Sequence, residues 1–258
     1  MEAPSHSPDE RLGITTYASD AERTSRSGML ELLRNAPIPD DQLLSNLGLF
    51  LESKNLARIL FMDFLFRQIV SVHGAVMEFG TRWGQNVALF AALRGIYDPF
   101  NRHRKIIGFD TFEGFPAIAP EDGESSIMHE GNLAVPRDYE SFLGSVLERH
   151  EQLNPLAHLR KFELRAGDAT EELPRYFHEA PETIVALAYF DLDLYEPTRR
   201  CLEILRPRLV RGSVIGFDEL NDPDSPGETL ALMEVFGLEQ VRLRRLPQVS
   251  RASYFVVE

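Results

Sequence analysis

The sequence has a single cysteine and no long uncharged apolar run. With Cys201 alone, no disulfide can form within the chain. The most apolar stretch, 56–72, is interrupted by Arg58, Asp63 and Arg67, so it predicts a buried helix rather than a membrane span, which needs about 20 apolar residues. The first residues, MEAPSHSPDER, lack the basic and apolar regions of a secretory signal. These absences predict a cytoplasmic protein with no membrane partner.

Positive charge is also scarce. The 258 residues include 27 lysines and arginines against 40 aspartates and glutamates, which gives a formal net charge of -13. A nucleic-acid backbone needs a basic binding face, so nucleic acid is not an expected partner. A neutral, cationic or metal-bridged small molecule suits this charge better. The length and the 43% hydrophobic content predict one large α/β domain with a modest extension.

The chain divides into three parts by composition. Residues 1–27 are polar and predict a flexible arm. Residues 28–73 carry helical apolar spacing, with a long segment at 40–72, and predict a helical lid or an oligomerisation region. Residues 74–258 form the main domain, whose loop insertion at 111–136 is longer than an ordinary connection and predicts a lid or a binding loop.

Short β runs alternate with amphipathic helices from residue 75 onwards. The runs are AVMEF, KIIGFD, KFELRAG, IVALAYFD and SVIGFD. Such alternation predicts a mostly parallel sheet covered by helices on both faces, with strand order 3-2-1-4-5. The tail segments EQVRLRRLP and ASYFVVE predict an antiparallel hairpin at one sheet edge, which brings the sheet to seven strands.

Candidate binding residues follow the first three strands. In such a sheet the ligand lies at the carboxyl ends of the strands. Gly80 and Gly84 form a G-x-x-x-G turn, which allows close backbone approach to a ligand or is simply a tight turn. Asp110 stands where an acid commonly binds ribose hydroxyls, although it could cap its own loop. Asp168 could contact an adenine edge or cap the helix that begins near Thr170.

Acids follow the fourth and fifth strands. Asp191 and Asp193 lie in the segment DLDLYEPT, and Asp218 and Glu219 lie in GFDEL. Neighbouring strands are about 4.8 Å apart, so these carboxylates converge at one rim. Unpaired carboxylates would repel one another, and a divalent cation held by Asp191, Asp218 and Glu219 would relieve the repulsion. All-oxygen ligation favours Mg²⁺, Ca²⁺ or Mn²⁺ over zinc, whereas any single acid could instead form a cap or salt bridge.

Three segments together resemble the macrocin O-methyltransferase family of antibiotic deoxysugar O-methyltransferases. They are DTFEGFP at 110–116, DLDLYEPT at 191–198 and GFDEL, and the resemblance spans roughly 50–220. It implies a class I S-adenosylmethionine-dependent methyltransferase fold, Rossmann-like, with a helical extension at its N-terminus. It also implies S-adenosylmethionine as cofactor and a divalent metal that orients vicinal hydroxyls of a sugar acceptor.

Site residues carry over by position. The resemblance implies a cofactor site formed by Glu78, Gly80, Thr81, Gly84, Asp110, Thr111, Phe112, Asp168, Ala169 and Asp191. It implies metal ligands at Asp191, Asp218 and Glu219. The sequence departs from the family at Glu219, where a second aspartate is usual, and at Leu192, which replaces a glycine. Leu194 stands where catechol methyltransferases keep a lysine, which argues against a catechol acceptor.

Two residues are candidates for the general base. Asp193 lies beside the predicted metal, and His129 lies in the long loop, where it could arrive with a closing lid or simply face solvent. The catalytic set is therefore Asp191, Asp193 and His129. We expect methylation of a nucleotide-linked sugar or of a glycosylated natural product, by a homo-oligomer formed through the apolar N-terminal helices.

Other protein classes share part of this pattern. D-x-D is also the metal motif of glycosyltransferases, and DLDLY resembles the D-x-D-x-T motif of phosphatases that use an aspartate nucleophile. A non-catalytic nucleotide-binding module is a further alternative. Binding of S-adenosylmethionine would distinguish a methyltransferase from a glycosyltransferase. A phosphatase of this kind would form a phospho-aspartate that can be trapped, and a non-catalytic binding module would show no turnover.

Overall fold

The computed structural model describes residues 18–258. The α-helices are α1 (Asp20–Arg34), α2 (Asp40–Leu43), α3 (Ser53–Gln68), α4 (Gln85–Tyr97), α5 (Tyr139–Leu153), α6 (Ala169–Glu179), α7 (Tyr195–Leu205) and α8 (Gly227–Val235). The strands are β1 (Ala75–Phe79), β2 (Ile106–Asp110), β3 (Phe162–Ala166), β4 (Val185–Phe190), β5 (Leu209–Phe217) and β6 (Ser253–Val256). Short 3₁₀ helices lie at Leu44–Phe50, Pro120–Asp122, Arg206–Arg208 and Leu238–Gln240.

The strands form one sheet in the order β3-β2-β1-β4-β5-β6. The first five strands are parallel, and β6 is antiparallel to β5. The predicted order and the α/β fold class are confirmed. The seventh strand is not formed: the tail segment before β6 contributes one isolated bridge, from Arg244 to Tyr254. Arg242, Arg244 and Arg245 are exposed there, so the segment has little apolar surface to bury against the sheet.

Apolar side chains cover both faces of the sheet, as a parallel sheet requires. One core cluster packs between the sheet and α6, α7 and α8, through residues such as Leu173, Leu202 and Leu232. The other lies under α3, α4 and α5, with Phe66 and Phe90 at its centre. The helix predicted in the stretch 56–72 is formed as α3, and it buries Phe61, Met62, Leu65 and Phe66 against the sheet.

The N-terminal region departs from the sequence-based expectation in two ways. Helix α1 begins at Asp20, where Ser19 and Glu22 form a capping box, so part of the predicted flexible arm is helical. Residues 1–17 of that arm lie outside the described residues. The long helical segment at 40–72 is also broken, because Leu51 is extended between the 3₁₀ helix and α3. Helices α1 and α2 and that 3₁₀ helix bury no residue.

Helix α3 is fixed to the sheet by a buried arginine. The guanidinium of Arg104, 1% exposed, donates to the carbonyls of Ile69, Val72 and Gly74, just beyond the end of α3. These bonds tie the segment between α3 and β1 to the loop that precedes β2. None of the helices between residues 18 and 258 has both the length and the apolarity to span a bilayer.

The long loop at 111–136 is fastened to the domain. Asp122 is buried and accepts hydrogen bonds from the Tyr195 amide (2.6 Å) and the Ala119 amide (2.7 Å). It therefore caps the start of α7, which has no side-chain cap from its own flank. Ser125 donates to the Asp224 carbonyl (2.8 Å), a second tie on the same side. The loop is thus held against the cleft rim at its centre.

Candidate active site

A cleft of about 1010 Å³ lies at the carboxyl ends of the parallel strands. Residues after all five parallel strands line it, including Gly80, Asp110, Asp168, Asp191 and Asp218. The start of α3 and part of the long loop form its other walls. This is the position that the strand pattern predicts for a ligand site, and the volume is sufficient for a nucleoside-sized cofactor with part of an acceptor.

The G-x-x-x-G turn brings two strand ends together. Gly80 has φ 89°, and a Cβ there would lie 1.8 Å from the Asp191 carbonyl oxygen. The Asp191 amide donates to the Phe79 carbonyl (2.8 Å) at the same crossing. Gly84, with φ 78°, begins α4, and a Cβ there would overlap the Leu143 side chain. Gly80 thus allows the ends of β1 and β4 to pack backbone against backbone, and Gly84 makes room for the Leu143 side chain.

Asp110 organises the loops on either side of it. Its two carboxylate oxygens accept from the backbone amides of Arg82 and Phe112, each at 2.6 Å. Burial raises the pKa of Asp110, and these amide bonds oppose the rise. Each oxygen retains acceptor capacity, and Asp110 lines the cleft, which suits a pair of ribose hydroxyls. This geometry is compatible with the predicted binding of ribose hydroxyls. Asp110 also has a structural role, because it fixes the backbone at Arg82 and Phe112.

Glu78 is a buried acid with an unused oxygen. It is 1% exposed, and its Oε2 has no hydrogen-bond partner in the structure. Burial and the neighbouring Asp191 raise its pKa well above the usual value. A buried carboxylate oxygen left without a partner is costly. Glu78 itself is not among the residues that line the cleft, whereas its neighbours Asn86 and Arg58 are.

The remaining predicted cofactor residues divide into two groups. Thr81, Thr111 and Ala169 line the cleft, although the Thr111 hydroxyl also donates to the Gly114 carbonyl within its own turn. Asp168 lines the cleft and also caps α6 by accepting from the Thr170 amide (2.8 Å). The side chain of Phe112 instead packs against the core under α4, so its predicted contact with the cofactor is corrected.

An arginine from α3 lies between the acids of β4 and β5. Arg58 contacts Asp191 at 2.5 Å and Asp218 at 2.9 Å, and its Nε donates to the Asn86 side chain at 3.2 Å. Asp218 also accepts from the buried Tyr189 hydroxyl at 2.7 Å. The expectation that these carboxylates are unpaired is therefore wrong. Arg58 is separated from Asp191 by 133 residues in the sequence.

Glu219 is placed differently from the other two predicted ligands. One oxygen pairs with Arg251 at 2.7 Å, whereas Oε2 is buried and has no hydrogen-bond partner. Asp193 lies against Glu219, and its backbone has φ 62°. Burial and repulsion from Glu219 raise the pKa of Asp193 well above its usual value. Burial and repulsion from Asp218 raise the pKa of Asp191 to about 7.

Glu228 joins the two acidic loops. It is fully buried at the start of α8, and its carboxylate accepts from the Leu192 amide (3.0 Å) and the Glu219 amide (3.3 Å). Burial and the nearby Asp191 raise its pKa well above the usual value. Sequence reasoning did not find this residue. Its only signal is an acid at the start of the largely apolar segment GETLALMEV.

His129 is not brought to the cleft. It is exposed, and the residues of the long loop that line the cleft end at Ile127 and resume at Leu133. Asn132 closes the intervening turn by donating to the Ile127 carbonyl at 2.7 Å, which directs His129 outward. Its predicted role as a base is corrected, and Asp193 remains as the candidate that lines the cleft.

Solved structures of known enzymes match the whole chain. CalS11, a calicheamicin methyltransferase, is 42% identical, with a TM-score of 0.91 and coverage of 99% of both chains. The chain belongs to the family of antibiotic deoxysugar O-methyltransferases. The apo structure of CalS11, called a TDP-rhamnose 3'-O-methyltransferase, is 41% identical to this methyltransferase, with a TM-score of 0.83 over 93% of this chain and 96% of that one.

Two further relatives extend the comparison. The 8-demethyl-8-(2,3-dimethoxy-alpha-L-rhamnosyl)-tetracenomycin-C 4'-O-methyltransferase of Streptomyces olivaceus is 30% identical over 158 residues, which are 57% of this chain. The match spans about half (53%) of that relative's length. The O-methyltransferase NovP, at 20% identity and a TM-score of 0.58 over 78% of this chain and 80% of that one, shows the fold alone. No protein-family model matches the methyltransferase.

The comparison decides among the alternatives that the motifs left open. The protein is an S-adenosylmethionine-dependent methyltransferase of the class I fold, as the three motifs predicted. The comparison therefore argues against the three alternative hypotheses, a glycosyltransferase, a phosphatase and a non-catalytic binding module.

Proposed function

We propose that this methyltransferase transfers a methyl group from S-adenosylmethionine to a hydroxyl of a deoxysugar in antibiotic biosynthesis. The likeness to CalS11 over 99% of both chains supports this more than any other observation. The cleft at the strand ends supports it independently, because it combines a glycine turn, an acid at the end of β2 and an acid cluster. We place the reaction in the cytoplasm.

Residues at or just after the carboxyl ends of β1, β2 and β3 are the proposed cofactor site. Glu78 is the proposed neighbour of the amino end of the methionine portion, because its Oε2 is buried without a hydrogen-bond partner, although its side chain does not line the cleft in this structure. Asp110 accepts from the ribose hydroxyls, and Asp168 and Ala169 lie beside the adenine. Gly80 and Gly84 line the cleft and place backbone groups beside the cofactor.

The reaction requires an in-line approach and the removal of one proton. The acceptor oxygen bonds to the methyl carbon as the carbon–sulfur bond breaks, which leaves neutral S-adenosylhomocysteine, and the hydroxyl proton passes to a base. Positioning of the two reactants supplies up to about 7 to 11 kcal/mol in favourable cases. Asp193 is the proposed base, since it lines the cleft and its raised pKa makes its ionised form a stronger base.

We also propose that the cleft binds a divalent cation, Mg²⁺ or alternatively Ca²⁺ or Mn²⁺. Asp191, Asp218 and Glu219 offer the oxygen donors that such ions prefer, and Glu219 Oε2 is buried without a partner. Within residues 18–258, no group of three acids, histidines or cysteines already has the arrangement of a metal site. When bound, the cation would orient vicinal hydroxyls and lower the pKa of the acceptor hydroxyl.

The acceptor class is tested with a panel of compounds. CalS11 is named for a TDP-linked rhamnose, whereas the Streptomyces olivaceus relative is named for a rhamnosylated tetracenomycin. We expect methylation of TDP-deoxysugars, because CalS11 matches 99% of this chain. Mass spectrometry after incubation with TDP-deoxysugars and with rhamnosylated aglycones distinguishes the two. Methylation of the glycosides alone would assign the second acceptor class, and methylation of neither would contradict the proposed function.

We also propose that the protein forms a homo-oligomer, a dimer or larger, through its N-terminal helices. Leu32, Leu44 and Leu49 are 65%, 79% and 65% exposed on helices that bury no residue. A second copy would cover this apolar surface. Light scattering should give a dimer or larger species, and Leu44→Asp with Leu49→Asp should give a monomer. A monomeric wild-type protein would refute this part of the proposal.

A further inference from the structure

We infer that Arg58 is an internal counterion that occupies the acid cluster until a divalent cation displaces it. The inference rests on the proposed cation site and adds a residue that competes with the cation. Arg58 neutralises two of the three proposed ligands, Asp191 and Asp218, through contacts at 2.5 and 2.9 Å. A guanidinium and a dication cannot both occupy the space between the same two carboxylates.

The surroundings of Arg58 show that it is an integral part of the cleft. Its side chain is half-buried, and it lines the cleft together with Asn86, which accepts from its Nε. An arginine guanidinium keeps its charge at any ordinary pH, and here two carboxylates lie against it. The positive charge is therefore permanent, and only a change of side-chain conformation can remove it from the acids.

The backbone beneath Arg58 cannot withdraw easily. Phe61 and Met62, one turn further along α3, are buried in the core under the sheet. The C-terminal end of the helix is held by Arg104. The guanidinium must therefore rotate away within the cleft, which its partial exposure allows. Arg58 thus lowers the affinity for the cation and stabilises the acid cluster when no cation is present.

Removal of the charge tests this inference directly. Arg58→Met keeps the length of the side chain and should bind Mg²⁺ at least about tenfold more tightly than the wild type in calorimetry. Arg58→Lys keeps the charge and should remain close to the wild type. Arg67→Met is the matched control, since Arg67 lies on the same helix and pairs with Asp63 away from the cleft.

A second measurement does not depend on activity. In EDTA, Arg58→Met should unfold at a lower temperature than the wild type. Mg²⁺ should raise the Tm of Arg58→Met by more than it raises the Tm of the wild type. Retained binding of S-adenosylhomocysteine would show that the variant is folded. Equal Mg²⁺ affinity in the wild type and Arg58→Met would overturn the inference and leave the cation site intact. Absence of Mg²⁺ binding in both would overturn the cation site and this inference, while methyl transfer itself would stand.

Discussion

Asp218 is held by two side chains that approach the same oxygen. The Tyr189 hydroxyl and the Arg58 guanidinium both bind Oδ1, at 2.7 and 2.9 Å. Tyr189 lies on β4 and is fully buried, so it fixes the carboxylate against the sheet. A residue held so firmly at the rim of a ligand cleft is suited to positioning an acceptor.

Asp218→Asn should abolish measurable methyl transfer while S-adenosylmethionine still binds. The amide removes the negative charge but keeps the shape, so the fold and the cofactor pocket are preserved. Product formation by mass spectrometry and cofactor affinity by calorimetry check this. The exposed residue Asp41 on α2 gives a control, Asp41→Asn, that should leave both unchanged. Full activity in Asp218→Asn would remove Asp218 from the reaction.

Asp110→Ala should weaken binding of S-adenosylhomocysteine by at least about tenfold, because a hydrogen bond to a charged acceptor contributes about 1.5 to 3 kcal/mol. Asp110→Asn retains one acceptor oxygen for the Arg82 or Phe112 amide and should lie between the wild type and the alanine variant. Calorimetric titration measures all three. An unchanged affinity in Asp110→Ala would leave Asp110 with only its structural role.

Helix α8 controls how the loops after β4 and β5 meet. Glu228 at its start accepts from one amide in each loop, so a single carboxylate sets the distance between the two acidic segments. The acids that the sequence places on different strands are brought into register by a residue that none of the motifs includes.

Glu228→Gln should lower kcat by roughly tenfold or more and also lower the Tm, with little change in cofactor affinity. A side-chain amide can accept only one of the two backbone bonds, and a displaced reacting group costs rate steeply. Steady-state kinetics and thermal unfolding measure the two effects. Glu234→Gln, on the same helix beside the Tyr195 hydroxyl, is the control. A fall in Tm without a fall in kcat would make Glu228 purely structural.

The elements that the sequence predicts well are those with strong local patterns. The five parallel strands and the acids at their ends follow from buried β runs and the rule for ligand position in such sheets. Arg58 and Glu228 could not be predicted because their partners lie on distant segments. The long segment at 40–72 was predicted without its break because helical spacing does not reveal the extended Leu51.

Acid groups crowd one end of the whole molecule, where burial raises several pKa values. Asp191 reaches about 7, against an ordinary value of 3.8, and the pKa values of Glu78, Asp193 and Glu228 are also raised. The folded protein therefore retains protons to higher pH than the unfolded chain does. The stability that this contributes is fully present below the unfolded pKa and is lost as the pH rises through the folded pKa.

In EDTA, the Tm should therefore fall between about pH 5 and about pH 8. Asp191→Asn removes one of the responsible groups and should reduce the fall, and Mg²⁺ at the higher pH should restore part of the lost stability. Thermal unfolding monitored by circular dichroism measures these curves. A Tm that rises over the same range, equally in both proteins, would show that the acid cluster does not control stability.

The central claim is that this cleft methylates a sugar hydroxyl. The most direct measurement incubates the protein with isotopically labelled S-adenosylmethionine and a TDP-deoxysugar, and then locates the label by mass spectrometry. We predict that the labelled methyl group appears on a sugar hydroxyl, and that Asp218→Asn yields none. Absence of label from every sugar acceptor offered, with the cofactor bound, would contradict the account.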